Sequence, residues 1–266
     1  MVRVRSTDDA PVVSVQDVHL SFAGVNAIAG VSFEVQPGEL FAIIGPNGAG
    51  KTSIFNVLSG VYRPQRGRVE FLGESVLGER PHRIAARGMA RTFQNIALFE
   101  HLTVLDNLML GRHQHIGYGF LAAFVWRGRA RAEELAHRRF VEEIVDFLEL
   151  EQWRTLPVGL LPYGVQKRVE LGRALAMEPK LLLLDEPVAG MNLEETEDTA
   201  RYILDIRDEL DVPIIMVEHD MGLVMDLADR VMVVDFGVPI TTGAPDEVQR
   251  HPDVVRAYLG QEVAGG

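Results

Sequence analysis

The sequence of 266 residues has no cysteine, and that single absence excludes disulfides, thiolate zinc sites, iron–sulfur clusters and a cysteine nucleophile. It also fits a cytosolic compartment. No run approaches the roughly 18 consecutive apolar residues of a membrane-spanning helix. Met1 to Ala10 mix arginine and aspartate without an apolar stretch, so neither a secretory signal nor a membrane span is expected. Positive charge is in deficit: 26 Lys and Arg stand against 38 Asp and Glu, a formal net charge of −12. That balance disfavours broad, non-specific binding to nucleic acid or to an anionic membrane surface. No repeat recurs at a period of roughly 20 to 50 residues, which sets aside solenoids and propellers. With 47% hydrophobic and 24% charged residues, the chain is an ordinary globular one, long enough for one large domain or a domain with an embedded subdomain.

What is present begins with four continuous apolar runs: Leu40 to Ile44, Leu181 to Leu184, Ile214 to Val217 and Val231 to Val234. Each ends at polar or turn residues, the pattern of strands covered on both faces in a mostly parallel α/β sheet. Ala136, Phe140, Ile144 and Leu148 recur every four residues, and Ala200, Ile203 and Leu204 mark a second stripe, so helices are expected to cover the sheet. Val12 to Phe22 and Val31 to Val35 read as shorter strands of an antiparallel edge subdomain, with a turn at Pro37-Gly38 before Leu40.

The stretch Gly45-Pro46-Asn47-Gly48-Ala49-Gly50-Lys51-Thr52, followed by Ser53, matches G-x-x-x-x-G-K-[ST] and lies between a buried strand and a helix-forming segment. The glycines let successive backbone N–H groups point inward around a polyphosphate, and the following helix adds its positive end. Lys51 is placed to neutralise the β and γ phosphates, and the Thr52 hydroxyl to ligate Mg²⁺. Leu181 to Leu184 lead into Asp185 and Glu186. Alone, such a strand end is more often a solvated terminus. Beside the phosphate loop, Asp185 is the candidate to hold Mg²⁺ through water and Glu186 the candidate to polarise an attacking water.

A phosphate loop serves kinases, GTPases, helicases and transport ATPases alike. The guanine-reading Asn-Lys-x-Asp motif is missing, which counts against a GTPase. The loop, Arg91-Thr92-Phe93-Gln94-Asn95, Leu161-Pro162-Tyr163-Gly164-Val165-Gln166, Leu184-Asp185-Glu186-Pro187 and Glu218-His219-Asp220 resemble the ATP-binding-cassette (ABC) ATPases in order and spacing, from about Val12 to Gly260. Leu161 to Gly164, Arg168 to Arg173, Pro187 to Asn192 and Ala257-Tyr258-Leu259-Gly260 further resemble one branch, the ATP-binding subunits of branched-chain amino acid importers. The resemblance implies an α/β P-loop NTPase core with a mostly parallel sheet, an N-terminal antiparallel β subdomain and an embedded α-helical subdomain. It implies one ABC ATPase domain over 12–260, with the core and β subdomain at about 12–93 and 176–260 and the helical subdomain at about 95–175. Residues 1–11 and 261–266 are expected to be flexible termini.

The same resemblance assigns roles. Phe22 would stack on adenine, although by itself it reads equally as a strand-core residue. Gln94 would be the Q-loop glutamine that reaches Mg²⁺ and the attacking water and reports nucleotide state to a membrane subunit. His219 would be the switch histidine at the γ-phosphate, where the bare sequence would read a structural His. Leu161, Pro162, Tyr163, Gly164, Val165 and Gln166 would form the signature that meets a nucleotide held by the opposite subunit, so that one chain carries two half-sites. The expected ligands are ATP and Mg²⁺, and the expected reaction is ATP hydrolysis coupled to uptake of branched-chain or other hydrophobic amino acids. The expected partners are a second cassette, a heterodimer being favoured over a homodimer, two permease subunits and, indirectly, a periplasmic or extracellular substrate-binding protein. Such a subunit sits in the cytoplasm, peripheral on the membrane through its permeases.

Two departures stand out. Pro162 replaces the usual signature serine and offers neither hydroxyl nor N–H, and Asn192 stands where a D-loop Asp is usual. Both motivate an asymmetric pair of sites, or a nucleotide-sensing cassette with little turnover. A soluble, non-transport cassette is a third reading, but the long coiled-coil insertions and basic surfaces that such proteins carry are missing. Arg112 to Arg131 is basic and aromatic, and reads either as membrane-facing or as a solvated insertion. His113 and His115, at i and i+2 without a carboxylate or Cys cluster, make a poor metal site.

Overall fold

The computed structural model describes residues 10–94, 96–115 and 129–262. The chain ends at 1–9 and 263–266, Asn95, and the part of the basic and aromatic stretch at 116–128 lie outside the described residues. In chain order the strands are β1 (Val13–Phe22), β2 (Val25–Val35), β3 (Leu40–Ile44), β4 (Arg66–Phe71), β5 (Glu74–Ser75), β6 (Met89–Arg91), β7 (Leu181–Asp185), β8 (Ile214–Val217), β9 (Arg230–Asp235) and β10 (Val238–Gly243). Two compact units divide the chain. The first comprises the described part of Met1–Met89, Lys180–Glu186 and Ile203–Gly266; the second comprises Ala90–Pro179 and Pro187–Tyr202.

In the first unit each continuous apolar run is a strand, and every residue of β3, β7 and β8 is buried. Such runs suit strands covered on both faces. β3 pairs in parallel with β8 and β9, and β7 in parallel with β8, while β10 returns antiparallel on β9. The sheet order is β10-β9-β3-β8-β7-β6. A second, antiparallel sheet has the order β2-β1-β4-β5. One hydrophobic core joins the two sheets, with Val15, Leu20 and Phe71 of the antiparallel sheet clustered with Phe41, Ile43 and Leu183 of the parallel one and Phe55 of the helix Lys51–Leu58. Phe33 of β2 stacks on Phe41 of β3 at 5.1 Å between ring centroids.

β2 is longer than the expected Val31 to Val35, starting at Val25. Gly30 at φ 79 and Asp17 at φ 48 break the pleat on the facing strands, and the β1–β2 register shifts on either side of Val18. Such bulges disrupt the two-residue periodicity on which strand reading depends.

The second unit is helical. The helix Val104–Gly111 starts at Thr103, whose hydroxyl accepts the Asp106 amide, and buried Asn107 ties down the preceding loop through Phe99, Leu102 and Thr103. Gly111 lets this helix approach the helix Tyr163–Leu175, since a Cβ there would lie 2.5 Å from the Arg173 carbonyl. In the helix Arg129–Phe147 and the turn after it, the buried face is His137, Val141, Ile144, Val145 and Leu148, while Ala136 is exposed. Residues four apart advance by more than one 3.6-residue turn, so a strict four-residue series drifts off the core face.

Candidate functional site: a phosphate-binding loop and its flanking carboxylates

Parallel pairing sends the carboxyl ends of β3, β7 and β8 to the same edge of the sheet, the edge where open α/β sheets bind ligands. Ile43 of β3 pairs with Val217 of β8, and Val217 pairs with Asp185 of β7. The rung therefore reads Ile43, Val217, Asp185. The segment Gly45 to Gly50 leaves β3 at this edge and enters the helix Lys51–Leu58. Among the described residues that helix has no side-chain cap and no acidic residue in its first turn. Its N-terminal amides thus face the loop without a competing carboxylate, as an anion site requires.

Two glycines of the loop are dictated by close approach. At Gly45, φ is 154 and a Cβ would lie 2.0 Å from the Val234 carbonyl; at Gly50, φ is 100 and a Cβ would lie 2.3 Å from the Ala27 carbonyl. The loop is further tied to the sheet by the Gly237 amide donating to Ala49 at 2.9 Å. Pro46 and Ala49 are buried, whereas Asn47, Gly48 and Thr52 are exposed and Ser53 is half-buried.

Lys51 is only 6% exposed. Its ammonium donates to the Gly45 carbonyl at 2.5 Å and the Pro46 carbonyl at 3.0 Å, so the lysine holds the loop closed on itself. Burial pulls the Lys51 ammonium below the usual lysine range, and the opposing charges of Glu186, Asp185 and Glu218 act against that shift. Three carboxylates therefore act on the charge of the loop lysine. Asp185 is buried at the end of β7, and Glu218 is fully buried after β8. Glu186 is a non-glycine residue in the left-handed region, φ 48, with its amide donating to the Val217 carbonyl at 2.9 Å. Such conformations cost about 1 to 3 kcal/mol and cluster at functional sites.

His219 is 59% exposed in its side chain and is oriented by Glu218, whose Oε2 accepts the His219 amide at 3.1 Å and lies 3.7 Å from Nδ1. Phe22, read from sequence either as adenine platform or as core, is 45% exposed and packs edge-on against Tyr62 at 5.0 Å. It belongs to the surface. Thr52 and Asp185 are hard oxygen donors of the kind Mg²⁺ takes, and among the described residues no group of three or more His, Asp or Glu is assembled to hold a metal alone. The two oxygen donors fit an ion shared with substrate phosphates.

Gln94, the signature and Asn192 belong to the second unit. The signature helix Tyr163–Leu175 has Pro162 at its N-cap without a side-chain cap bond. Leu161 and Val165 are buried, the Gln166 side chain donates to the Leu161 carbonyl at 2.8 Å, and the Tyr163 hydroxyl donates to the Ala189 carbonyl at 3.2 Å. A Cβ at Gly164 would lie 2.5 Å from Glu195 Oε1, so a side chain there would displace the Glu195 carboxylate. Asn192 opens the helix Leu193–Glu209 with a reciprocal cap: its Oδ1 accepts the Glu195 amide at 3.0 Å and Glu195 Oε2 accepts its own amide at 3.1 Å. This is a capping box.

Sequence reasoning passed over two features near these motifs. The Tyr258 hydroxyl is buried, and burial pushes it up to about 12; the Gly45 amide acts against that shift without completing a hydrogen bond. Tyr258 was marked only as part of a C-terminal pattern. Glu170 and Arg173 count in the sequence only as part of the Arg168 to Arg173 resemblance, and their shared face with Lys167 is signalled by the i, i+3, i+6 spacing alone.

A strand, a glycine loop closed by a buried lysine, and carboxylates on the adjoining strand ends define a P-loop nucleoside-triphosphatase site. The pattern of the family described as "ABC transporter" matches residues 28–189, and that of "Branched-chain amino acid ATP-binding cassette transporter" matches residues 238–264. The chain is 37% identical over 251 residues to the high-affinity branched-chain amino acid transport ATP-binding protein BraF of Pseudomonas aeruginosa, covering 94% of this chain and 98% of that one. It is 37% identical over 254 residues to the corresponding protein LivG of Escherichia coli, with the same coverage. Among solved structures, a nucleotide-free ATP-binding cassette from an ABC transporter superposes with a TM-score of 0.81 at 29% identity, covering 94% of this chain and 99% of that one. A cassette in its ADP conformation gives 0.82 at 28%, covering 95% and 100%. The chain belongs to the ATP-binding-cassette transporter ATPases, as an ATP-binding and ATP-hydrolysing subunit of the importer type.

Proposed function

We propose that this subunit energises uptake of branched-chain or related hydrophobic amino acids through permease partners, and that each motif residue has a defined part in ATP turnover. The observation that carries the catalytic reading is the buried Lys51 ammonium, under the charges of Glu186, Asp185 and Glu218, beside a loop whose Gly45 and Gly50 leave no room for a side chain. Gly45, Pro46, Asn47, Gly48, Ala49, Gly50, Thr52 and Ser53 bind the nucleotide phosphates with Lys51, which exchanges two main-chain carbonyls for phosphate oxygens. Thr52, Asp185 and Gln94 hold Mg²⁺, which when bound screens the phosphate charge. Glu186 takes the proton of the attacking water, His219 contacts the γ-phosphate, and Phe22 offers its exposed ring to adenine.

Leu161 to Gln166 act on the nucleotide of a second cassette, a related subunit rather than a second copy, and Asn192 takes the D-loop position. With proline in place of the signature serine, the composite site fed by this chain is the slower of the pair, since loss of one preorganised donor costs on the order of a hundredfold. The branched-chain substrate rests on the names of the relatives and on the C-terminal match at 238–264. Two permeases and an external substrate-binding protein complete the assembly, with this subunit on the cytoplasmic face.

Glu186→Gln tests the chemistry: MgATP binding should persist while turnover in the assembled transporter falls by about 10² to 10⁴. Full activity in that variant would remove Glu186 from its role. Leucine, isoleucine and valine uptake into vesicles carrying the reconstituted complex tests the substrate, and ATP-dependent uptake of none of them would refute it.

A further inference from the structure

Three charged side chains on one face of the signature helix converge on the main chain of the segment that carries Gln94. Glu170, 2% exposed, accepts the Phe93 amide at 3.3 Å and also feels the Ala97 amide. Lys167, also buried, donates to the Gln94 carbonyl at 2.8 Å and the Phe93 carbonyl at 3.4 Å. Arg173, one turn further, donates to the Ala97 carbonyl at 2.5 Å. Lys167 Nζ and Glu170 Oε2 are 4.0 Å apart. Burial raises the Glu170 carboxyl above the usual range, and Lys167, Arg173 and the Phe93 and Ala97 amides act against that shift. Main-chain donors thus meet the acid and main-chain acceptors meet the two bases. A buried ionic cluster of this kind contributes little net stability, because desolvation offsets the Coulombic gain. What it supplies is a fixed backbone.

We propose that Glu170, flanked by Lys167 and Arg173, is the positioning residue that holds Phe93, Gln94 and Ala97 in register with the signature helix and so sets the place of Gln94 in ATP turnover. This rests on the reading of Gln94 given above. One helix then answers to two inputs. Its N-terminal turn, Tyr163 to Gln166, is the part assigned to a partner's nucleotide, and its next two turns grip the segment assigned to sensing. A shift of the helix carries Gln94 with it, because the linkage runs through the main chain.

The test compares Glu170→Gln, Gln94→Ala and the double variant in the full-length chain within its transporter complex. Glutamine keeps the shape but presents one oxygen to two amides and turns an NH₂ toward the other. Hydrogen exchange at the Phe93 and Ala97 amides should accelerate by about tenfold or more in Glu170→Gln, while exchange in β3 and the helix Lys51–Leu58 stays unchanged. kcat should fall by about 10- to 100-fold, the scale of a misplaced catalytic group, with KM for ATP within about twofold. In the Gln94→Ala background the Glu170→Gln substitution should have no further effect on kcat, because both act through one group. Unchanged exchange at both amides, or effects on kcat that multiply in the double variant, would overturn the proposal. If Gln94→Ala alone turns over at the wild-type rate, the role of Gln94 fails, and the exchange data still decide whether Glu170 holds the segment.

Discussion

At Gly50 a left-handed φ of 100 coincides with the Ala27 carbonyl lying where a side chain would begin. Gly50→Ala should therefore cost about 1 to 3 kcal/mol of stability and also displace the amides that cradle phosphate. Thermal unfolding with and without MgATP checks both, and retention of the full nucleotide-induced shift would show that the loop tolerates the extra atom. The pattern of glycines was legible because a phosphate loop needs main-chain amides at close range. The strained φ of Glu186 and its amide bond to Val217 were not, because a left-handed carboxylate has no mark in residue order. Glu218 was legible only as one letter of a motif; its burial and its hold on His219 depend on how β8 ends inside the fold.

Among the elements, the parallel strands announced themselves through unbroken apolar runs, while β2 was read short because Gly30, opposite the bulge at Asp17 of β1, interrupts its alternation. The helix Leu193–Glu209 shows why Asn192 is a mild departure: its side chain caps the helix, a task Asp performs equally well. Asn192→Ala should lower stability by about 1 kcal/mol, and Asn192→Asp should leave it within a few tenths. Chemical denaturation distinguishes these outcomes, and an unchanged midpoint for the alanine variant would remove the cap from the account. The charged face of the signature helix escaped sequence reading because buried ionic residues in a helix look like any solvated face until the segment opposite is known.

For the whole molecule, the phosphate loop couples nucleotide binding to folding. At a hundred times its dissociation constant MgATP should stabilise the fold by about 2.7 kcal/mol. Lys51→Ala should lose most of that gain by losing affinity, and a ligand-dependent melting series measures it directly. The net charge is −12, and no described helix is long and apolar enough to cross a membrane. The family was legible from five short motifs in order, because chemistry fixes residue types at the strand ends. The grouping of Pro187–Tyr202 with the helical unit was not, since it depends on contacts distant in sequence.

The rung Ile43, Val217, Asp185 has a genetic corollary. Successive side chains on a strand face opposite ways, so one extra codon within Leu181 to Leu184 would swing the carboxylate to the far side of the sheet and force every leucine of a strand buried on both faces to repack. Insertions in this lineage should accumulate in surface connections and spare these five positions, making the strand a ruler by which orthologous cassettes can be aligned even where little else is shared.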